Sequence, residues 1–163
     1  MKKLLLFLVD DDELLLSIMS NYLKKEFVQY EIKTFETGEE CLKNLNLKPN
    51  IIVLDYHLDS TNGNAENGLT ILKKIKAVSP KIEVVILTKN DNLDVAKNCI
   101  KYGAADYVIK NENSHSHMFL TLQNINNKLS ALESARISMY STIAVIGFFL
   151  ILILVALYTE HMI

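Results

Sequence analysis

The sequence predicts a doubly wound α/β domain built on a five-stranded parallel sheet, followed by one C-terminal transmembrane helix. Three observations predict it. Five short apolar runs recur, at 3–9, 30–35, 50–55, 82–87 and 105–110. Helical apolar spacing fills the stretches between them. The run from Ile137 to Tyr158 carries no charge at all. Strand–helix alternation repeated five times argues for parallel strands joined by right-handed crossovers.

Each element has its own justification. "KLLLFLV", "NIIVLD" and "IEVVIL" are apolar at nearly every position, as strands covered by helices on both faces are. "YEIKTF" and "ADYVIK" are more mixed. The first run follows a basic start, as a leader peptide would, but three aspartates interrupt it and no small-residue cleavage site follows, so it reads as a strand. Leu14, Leu15, Ile18, Met19, Tyr22 and Leu23 recur at helical spacing and predict the apolar face of a first helix. Thr37 with Glu40 fits a capping box opening a second. Leu69, Leu72, Ile75 and Val78 predict a third, which Pro80 ends. Val95, Cys99 and Tyr102 predict a fourth before Gly103. The 58–67 stretch is Asn- and Gly-rich and reads as a long loop.

Composition narrows the function. The chain has 163 residues, enough for one ordinary domain. Its formal net charge of -2 argues against nucleic acid as a partner. All 17 Lys and Arg, and 18 of the 19 Asp and Glu, precede position 137, so the positive mean hydropathy comes largely from the tail. Cys41 and Cys99 stand alone, without CxxC spacing, and read as helix thiols rather than a disulfide or metal site.

In a doubly wound sheet, ligands bind beyond the carboxyl ends of the strands. Those ends carry Asp10-Asp11-Asp12, Asp55, Thr88 and Lys110. Singly, each is ordinary: Asp12 reads as a helix N-cap, Asp55 as a turn residue, Thr88 as a strand end, Lys110 as a solvated cation. Together they are not. Carboxylates converging on one pocket repel, and one must hold its proton more tightly unless a cation sits there. Mg2+ suits oxygen ligands that also face phosphate, and a lysine and a hydroxyl suit a phosphoryl group.

"LFLVDDDELLL", "IIVLDYHL", "VVILTKND" and "GAADYVIK", in this order, resemble the receiver domain of bacterial two-component response regulators over about residues 2–127. The resemblance implies a flavodoxin-like fold. It implies Asp55 as phosphoacceptor, and Mg2+ held by Asp10, Asp11, Asp55 and the backbone carbonyl of His57. It implies Thr88 and Lys110 as the phosphoryl-facing hydroxyl and lysine, and Tyr107 as the aromatic switch position. The implied partners are a sensor histidine kinase or phosphotransfer protein and a downstream protein. The implied role is a phosphoacceptor switch rather than an enzyme acting on a separate substrate.

Three positions depart from the family pattern. Lys89 stands where a small residue is usual. Asn111 follows Lys110 in place of proline, which puts the family's cis peptide in question. The glycine opening helix three, Gly68, comes about five residues late, beside an enlarged loop. Gly63 and Gly68 have P-loop spacing, but Leu69-Thr70 replaces Lys-Ser/Thr, so nucleotide binding is rejected. His115 and His117 lack partners at metal-ligand spacing and read as the start of helix five.

The uncharged run of about 22 residues spans roughly 33 Å as a helix, against a hydrocarbon core of about 30 Å. Tyr140 and Tyr158 lie near its ends, and Lys128 and Arg136 precede it with no Lys or Arg after it. That predicts a single-pass cell-membrane protein with its N-terminal domain in the cytoplasm. The expected organisation is a receiver at 1–127, a helical stalk at 128–136, a transmembrane helix at 137–158 and a tail at 159–163. Met118, Leu122, Ile125, Leu129 and Leu132 alternate at four and three spacing, which makes the stalk a candidate homodimer contact or a site for a membrane partner.

The leading expectation is therefore a membrane-tethered, single-domain response regulator, in contact with membrane lipid and not with DNA. A membrane-bound receiver-fold scaffold that does not cycle phosphate stays open, because of Lys89 and the enlarged loop. A Mg2+-dependent phosphohydrolase would need an acid two residues after the nucleophile, where His57 stands.

Overall fold

The computed structural model describes residues 3–58, 66–89 and 93–161. The chain divides into two units, residues 1–119 and 120–163.

The first unit holds one sheet. Its strands are β1 (Leu4–Val9), β2 (Tyr30–Phe35), β3 (Ile51–Asp55), β4 (Glu83–Thr88) and β5 (Asp106–Ile109). The spatial order is β2-β1-β3-β4-β5, and every neighbouring pair is parallel. All five predicted strands are present, within a residue of their expected ends. The three read as doubly buried have that pattern: β3 is buried throughout, β1 and β4 over most of their length.

Between the strands run α1 (Glu13–Glu26), α2 (Gly38–Lys43), α3 (Gly68–Val78) and α4 (Leu93–Lys101), and α5 (Ser114–His161) begins after β5. On one sheet face Phe7, Ile52, Leu54, Val84 and Ile86 pack with Cys41 of α2, Ile71 and Ile75 of α3, and Cys99 of α4. The strand residues of opposite parity, Leu6, Leu8, Ile51, Val53 and Val85, are buried on the other face, as are Leu16 and Leu23 of α1 and Met118 of α5. Ring contacts join α1 to the start of α5, with Phe27 5.2 Å from Phe119 and Tyr22 stacked 5.3 Å from His115. A side chain sealed in such a layer contributes about 1.5–3 kcal/mol by burial, so the two faces supply most of the folding drive.

Three helix ends follow the expected capping chemistry. The Asp12 carboxylate accepts from the Leu15 N–H at 3.0 Å, and Thr37 Oγ1 accepts from Glu40 N–H at 3.2 Å. Asn67 caps α3 in the same way, accepting from Thr70 N–H at 3.0 Å.

The apolar face expected of α1 holds at Leu23 and at the half-buried Leu15, Met19 and Tyr22, and is corrected at two positions. Leu14 and Ile18 are 70% and 48% exposed, while Leu16, Ser20 and Leu23 turn inward. Leucine occupies 14, 15 and 16 in succession, so periodicity alone leaves the phase of the stripe open and packing chooses it. Val78 and Tyr102, at the ends of their helical stripes, are likewise exposed.

The second unit is the continuation of α5. The helix runs 48 residues without a break, as the absence of Gly and Pro between Gly103 and Gly147 predicts. From 131 to 155 its side chains are exposed, apart from half-buried Gly147. Ser141 and Thr142 hydroxyls both donate to the Ser138 carbonyl, which satisfies them within the helix. By length and composition this helix is long and apolar enough to cross a membrane.

Candidate functional site: an acidic pocket at the carboxyl edge of the sheet

Asp10 and Asp55 emerge from adjacent central strands. Val9 pairs with Leu54, so the next residue of each strand delivers a carboxylate to the same edge. Both are 3% exposed. Lys110 follows β5, two strands from β3, and its ammonium reaches back to both acids. Nζ donates to Asp10 Oδ2 at 2.6 Å and lies 2.9 Å from Asp55 Oδ1. The Lys110 N–H anchors this residue by donating to the Thr88 carbonyl at 2.6 Å. Asp10 Oδ1 in turn accepts from the Asp12 N–H at 3.1 Å, tying the acidic turn to the start of α1.

The electrostatics are those of a buried cluster short of one positive charge. Burial pushes the Asp10 carboxyl above its ordinary value; the Lys110 hydrogen bond opposes this and the Asp55 charge reinforces it. Burial alone would lower Lys110, but the charge of Asp55, the hydrogen bond to Asp10 and the charge of Asp10 outweigh it and hold the ammonium above its ordinary value. Lys110 is therefore a fixed cation.

Even so, Asp55 Oδ1 is buried with no hydrogen bond of its own. The ammonium is near enough for an ion pair but is not aligned as a donor. Oxygens of Asp10, Asp11 and Asp55 lie within 4.8 Å of one another. An orphaned carboxylate oxygen in a cluster of three acids is what a hard divalent cation with oxygen ligands would complete. The residues present fit Mg2+.

Around this cluster the structure places the other predicted residues. Thr88 is fully buried at the end of β4, next to Ile109 in the register. Tyr107 is half-buried, paired with Ile86 and packed on the α2–α4 face. His57 is half-buried just past β3, its ring 5.0 Å from that of Tyr56. Lys89 is exposed. The described residues contain no cis peptide, Lys110–Asn111 included. His115 and His117 do open α5; His117 lies 3.5 Å from Asp106 and neither joins a metal-ligating group among the described residues. Cys41 and Cys99 are buried free thiols, and burial pushes Cys41 up to about 12. Most of the 58–67 loop, with Gly63, lies outside the described residues.

In the sequence Gly68 stands out only as the glycine that opens helix three; its role comes from packing. Gly68 N–H donates to the Tyr56 carbonyl at 2.9 Å. A Cβ on Gly68 would collide with the carbonyl oxygen of Asp55 and with Tyr56 Cα. α3 therefore begins directly against the backbone that presents Asp55. Glu39 Oε1 accepts from the Glu66 N–H at 3.2 Å, and Lys74 donates to the Glu66 carboxylate. These contacts pin the end of the enlarged loop to α2 and α3. The Asn67-Gly68 pair, a cap followed by a residue without a side chain, was the available signal.

A parallel 2-1-3-4-5 sheet with an acidic pocket at its carboxyl edge defines a flavodoxin-like α/β domain with a candidate metal and phosphoryl site. A family model for the response regulator receiver domain matches residues 6–119, and the chain belongs to that family. Receiver domains accept a phosphoryl group on an aspartate, bind Mg2+ through acidic residues, and interact with histidine kinases or phosphotransfer proteins. Among curated relatives, the chain is 33% identical over 121 residues to the NtrX-like response regulator of Rickettsia conorii, covering 74% of this chain and 24% of that protein. It is 29% identical to the transcriptional regulatory protein CssR of Bacillus subtilis, covering 64% and 44%. The chain thus spans less than half the length of these relatives. Among solved structures, the BeF3-activated DrrB receiver domain is 27% identical with a TM-score of 0.63, covering 77% of this chain and 98% of that one. A receiver domain from Clostridium thermocellum has a TM-score of 0.68 at 23% identity, covering 79% and 98%.

Proposed function

We propose that this chain is a membrane-tethered receiver that takes a phosphoryl group on Asp55 from a histidine kinase or phosphotransfer protein and passes the signal on by protein–protein contact. The observation that carries the assignment is Asp55 itself: a buried carboxylate with one oxygen lacking a hydrogen bond, 2.9 Å from a fixed lysine cation.

In the proposed reaction an Asp55 oxygen attacks phosphorus. The new O–P bond forms as the N–P bond to the partner's imidazole breaks, and the leaving nitrogen keeps the electron pair. Lys110 stabilises charge on the transferring oxygens from a position already set before the reaction, which avoids reorganisation. Asp10, Asp11, Asp55 and the His57 carbonyl would hold Mg2+, which when bound adds positive charge beside those oxygens. Hydrolysis reverses the state: water attacks phosphorus and restores the Asp55 carboxylate with release of inorganic phosphate.

Thr88 and Tyr107 are the proposed readout. The Thr88 hydroxyl hydrogen-bonds a phosphoryl oxygen, and its movement opens space into which Tyr107 turns. The surface around α4, β5 and α5 then shifts population. Residues 1–127 form the receiver, 128–136 a stalk, 137–158 the membrane span and 159–163 the tail, with the receiver on the cytoplasmic side. The stalk is the proposed contact for a second copy or a membrane partner.

The test is intact mass after incubation of the full chain with Mg2+ and a small phosphodonor. One labile phosphate should appear and should vanish in Asp55→Asn. No modification under saturating donor would assign the chain instead to a receiver-fold scaffold that does not cycle phosphate.

A further inference from the structure

Every helix of the first unit runs back from the carboxyl edge of a parallel sheet, so the connections leading into β2, β3, β4 and β5 all lie at the opposite, amino edge. Each of these four connections, taken with the last turn of the helix before it, exposes lysine beside an apolar side chain. The α1–β2 connection has Lys24 and Lys25 with Val28, and α2–β3 has Lys43 and Lys48 with Leu47. The α3–β4 connection has Lys81 with Val78, and α4–β5 has Lys101 with Tyr102. Val28 and Val78 are 73% and 70% exposed. The acids at this edge are Glu26, the exposed Glu31 near the start of β2, and the half-buried Glu83 and Asp106 that open β4 and β5, fewer than the lysines. At the carboxyl edge the balance reverses, with Asp10, Asp11, Asp12, Glu13, Glu36 and Asp55 against Lys89 and Lys110.

Lysine at a helix C-terminus has an ordinary cause in the helix dipole. That covers Lys24, Lys25, Lys43 and Lys101. Lys48 caps the short 3-10 helix Leu45–Leu47; the dipole does not cover Lys81, which lies outside the helices, nor the exposed valines and leucine. Basic side chains interleaved with shallow apolar ones suit the interface of an anionic bilayer, where charge attracts and the apolar groups enter the headgroup layer. The same chain carries a helix long and apolar enough to cross a membrane, and covalent attachment to that helix would raise the local concentration of lipid around this edge.

We propose that the amino edge of the sheet is a docking surface for anionic membrane lipid, leaving the acidic phosphoacceptor edge turned to the cytosol and to the kinase. The inference rests on the membrane reading of α5, and the experiment separates the two.

The chain contains no Trp, so Val78→Trp gives a single reporter at this edge, and Leu14→Trp, at a 70% exposed site in the first turn of α1, gives one at the acidic edge. The full chain is reconstituted into nanodiscs of phosphatidylcholine alone or mixed with phosphatidylglycerol. With the anionic lipid the Val78→Trp emission should shift to the blue and its quenching by acrylamide should fall severalfold. About 1 M salt, which shortens the screening length to about 3 Å, should reverse both. The Leu14→Trp signal should not change, and adding Lys48→Glu, Lys81→Glu and Lys101→Glu should abolish the Val78→Trp response while phosphoryl uptake persists. Identical spectra in the two lipids overturn the inference. So does a shift produced only by a soluble acidic peptide or oligonucleotide, which would assign the edge to that partner. Flotation with phosphatidylcholine vesicles reads the membrane assignment by itself. A chain that fails to float refutes the anchor, whereas one that floats with an unresponsive Trp refutes the docking surface alone.

Discussion

Lys110 lies 2.6 Å from Asp10 and 2.9 Å from Asp55, and these acids hold its ammonium above the ordinary 10.5 despite burial. A lysine whose pKa is raised by folding contributes stability that is complete below the unfolded value and is lost as pH rises through the folded one. In EDTA, the urea midpoint of the native chain should therefore fall as pH climbs above about 10.5. Lys110→Met should lose this part of the alkaline dependence and should be destabilised by about 3–5 kcal/mol at pH 8, because two buried carboxylates lose their cation. An alkaline profile identical in both proteins would mean that the ion pairs do not form. Asp10 has the same sign in a lower window. Its carboxyl is raised above 3.8, so its contribution is lost as pH climbs past that value.

At the scale of elements, the junction of β3 and α3 is where the site is made rigid. Gly68 has no room for a side chain against the Asp55 carbonyl and Tyr56 Cα. Its φ is not in the left-handed region, so close approach and not backbone freedom requires glycine here. Gly68→Ala should destabilise by about 1–3 kcal/mol through overpacking and should slow phosphoryl uptake, because the backbone presenting Asp55 must move. Gly147→Ala, with nothing within 4 Å of its added Cβ, should change neither. Chemical denaturation and the rate of mass gain with a phosphodonor measure both effects. Unaltered uptake in Gly68→Ala would show that α3 does not position Asp55. The same local reading explains why the expected α1 stripe holds at Leu15, Met19, Tyr22 and Leu23 but not at Leu14 and Ile18: three consecutive leucines at 14–16 satisfy several helical phases, and only the packing against the sheet adds Leu16 and Ser20.

For the whole molecule, the unbroken α5 links the receiver's chemistry to the apolar segment in one element. Met118, Leu122 and Ile125 are buried, whereas Leu132 is 59% exposed. Single cysteines at Leu129 or Leu132, in native membranes, should cross-link to a second copy or a membrane partner. The yield should change when Asp55 is phosphorylated. The two native cysteines are buried, so background should be low. Absence of cross-linking in both states would leave the segment a passive anchor.

The sequence by itself determined the order and type of the elements, because strands sealed on both faces must be apolar throughout and the helices between them must alternate. It also put Asp10, Asp55 and Lys110 at strand exits, which in a parallel sheet converge on one edge. Tertiary structure decided what depends on contacts between distant residues. Lys110 reaches Asp10 across 100 positions, and no local pattern encodes which oxygen is left without a donor. Gly68 against Asp55 is a steric fact of two segments meeting. The charge tells the same story: a net of -2 conceals an acidic carboxyl edge and a basic amino edge. Summing along the chain cancels charges that folding sorts to opposite sides of the sheet.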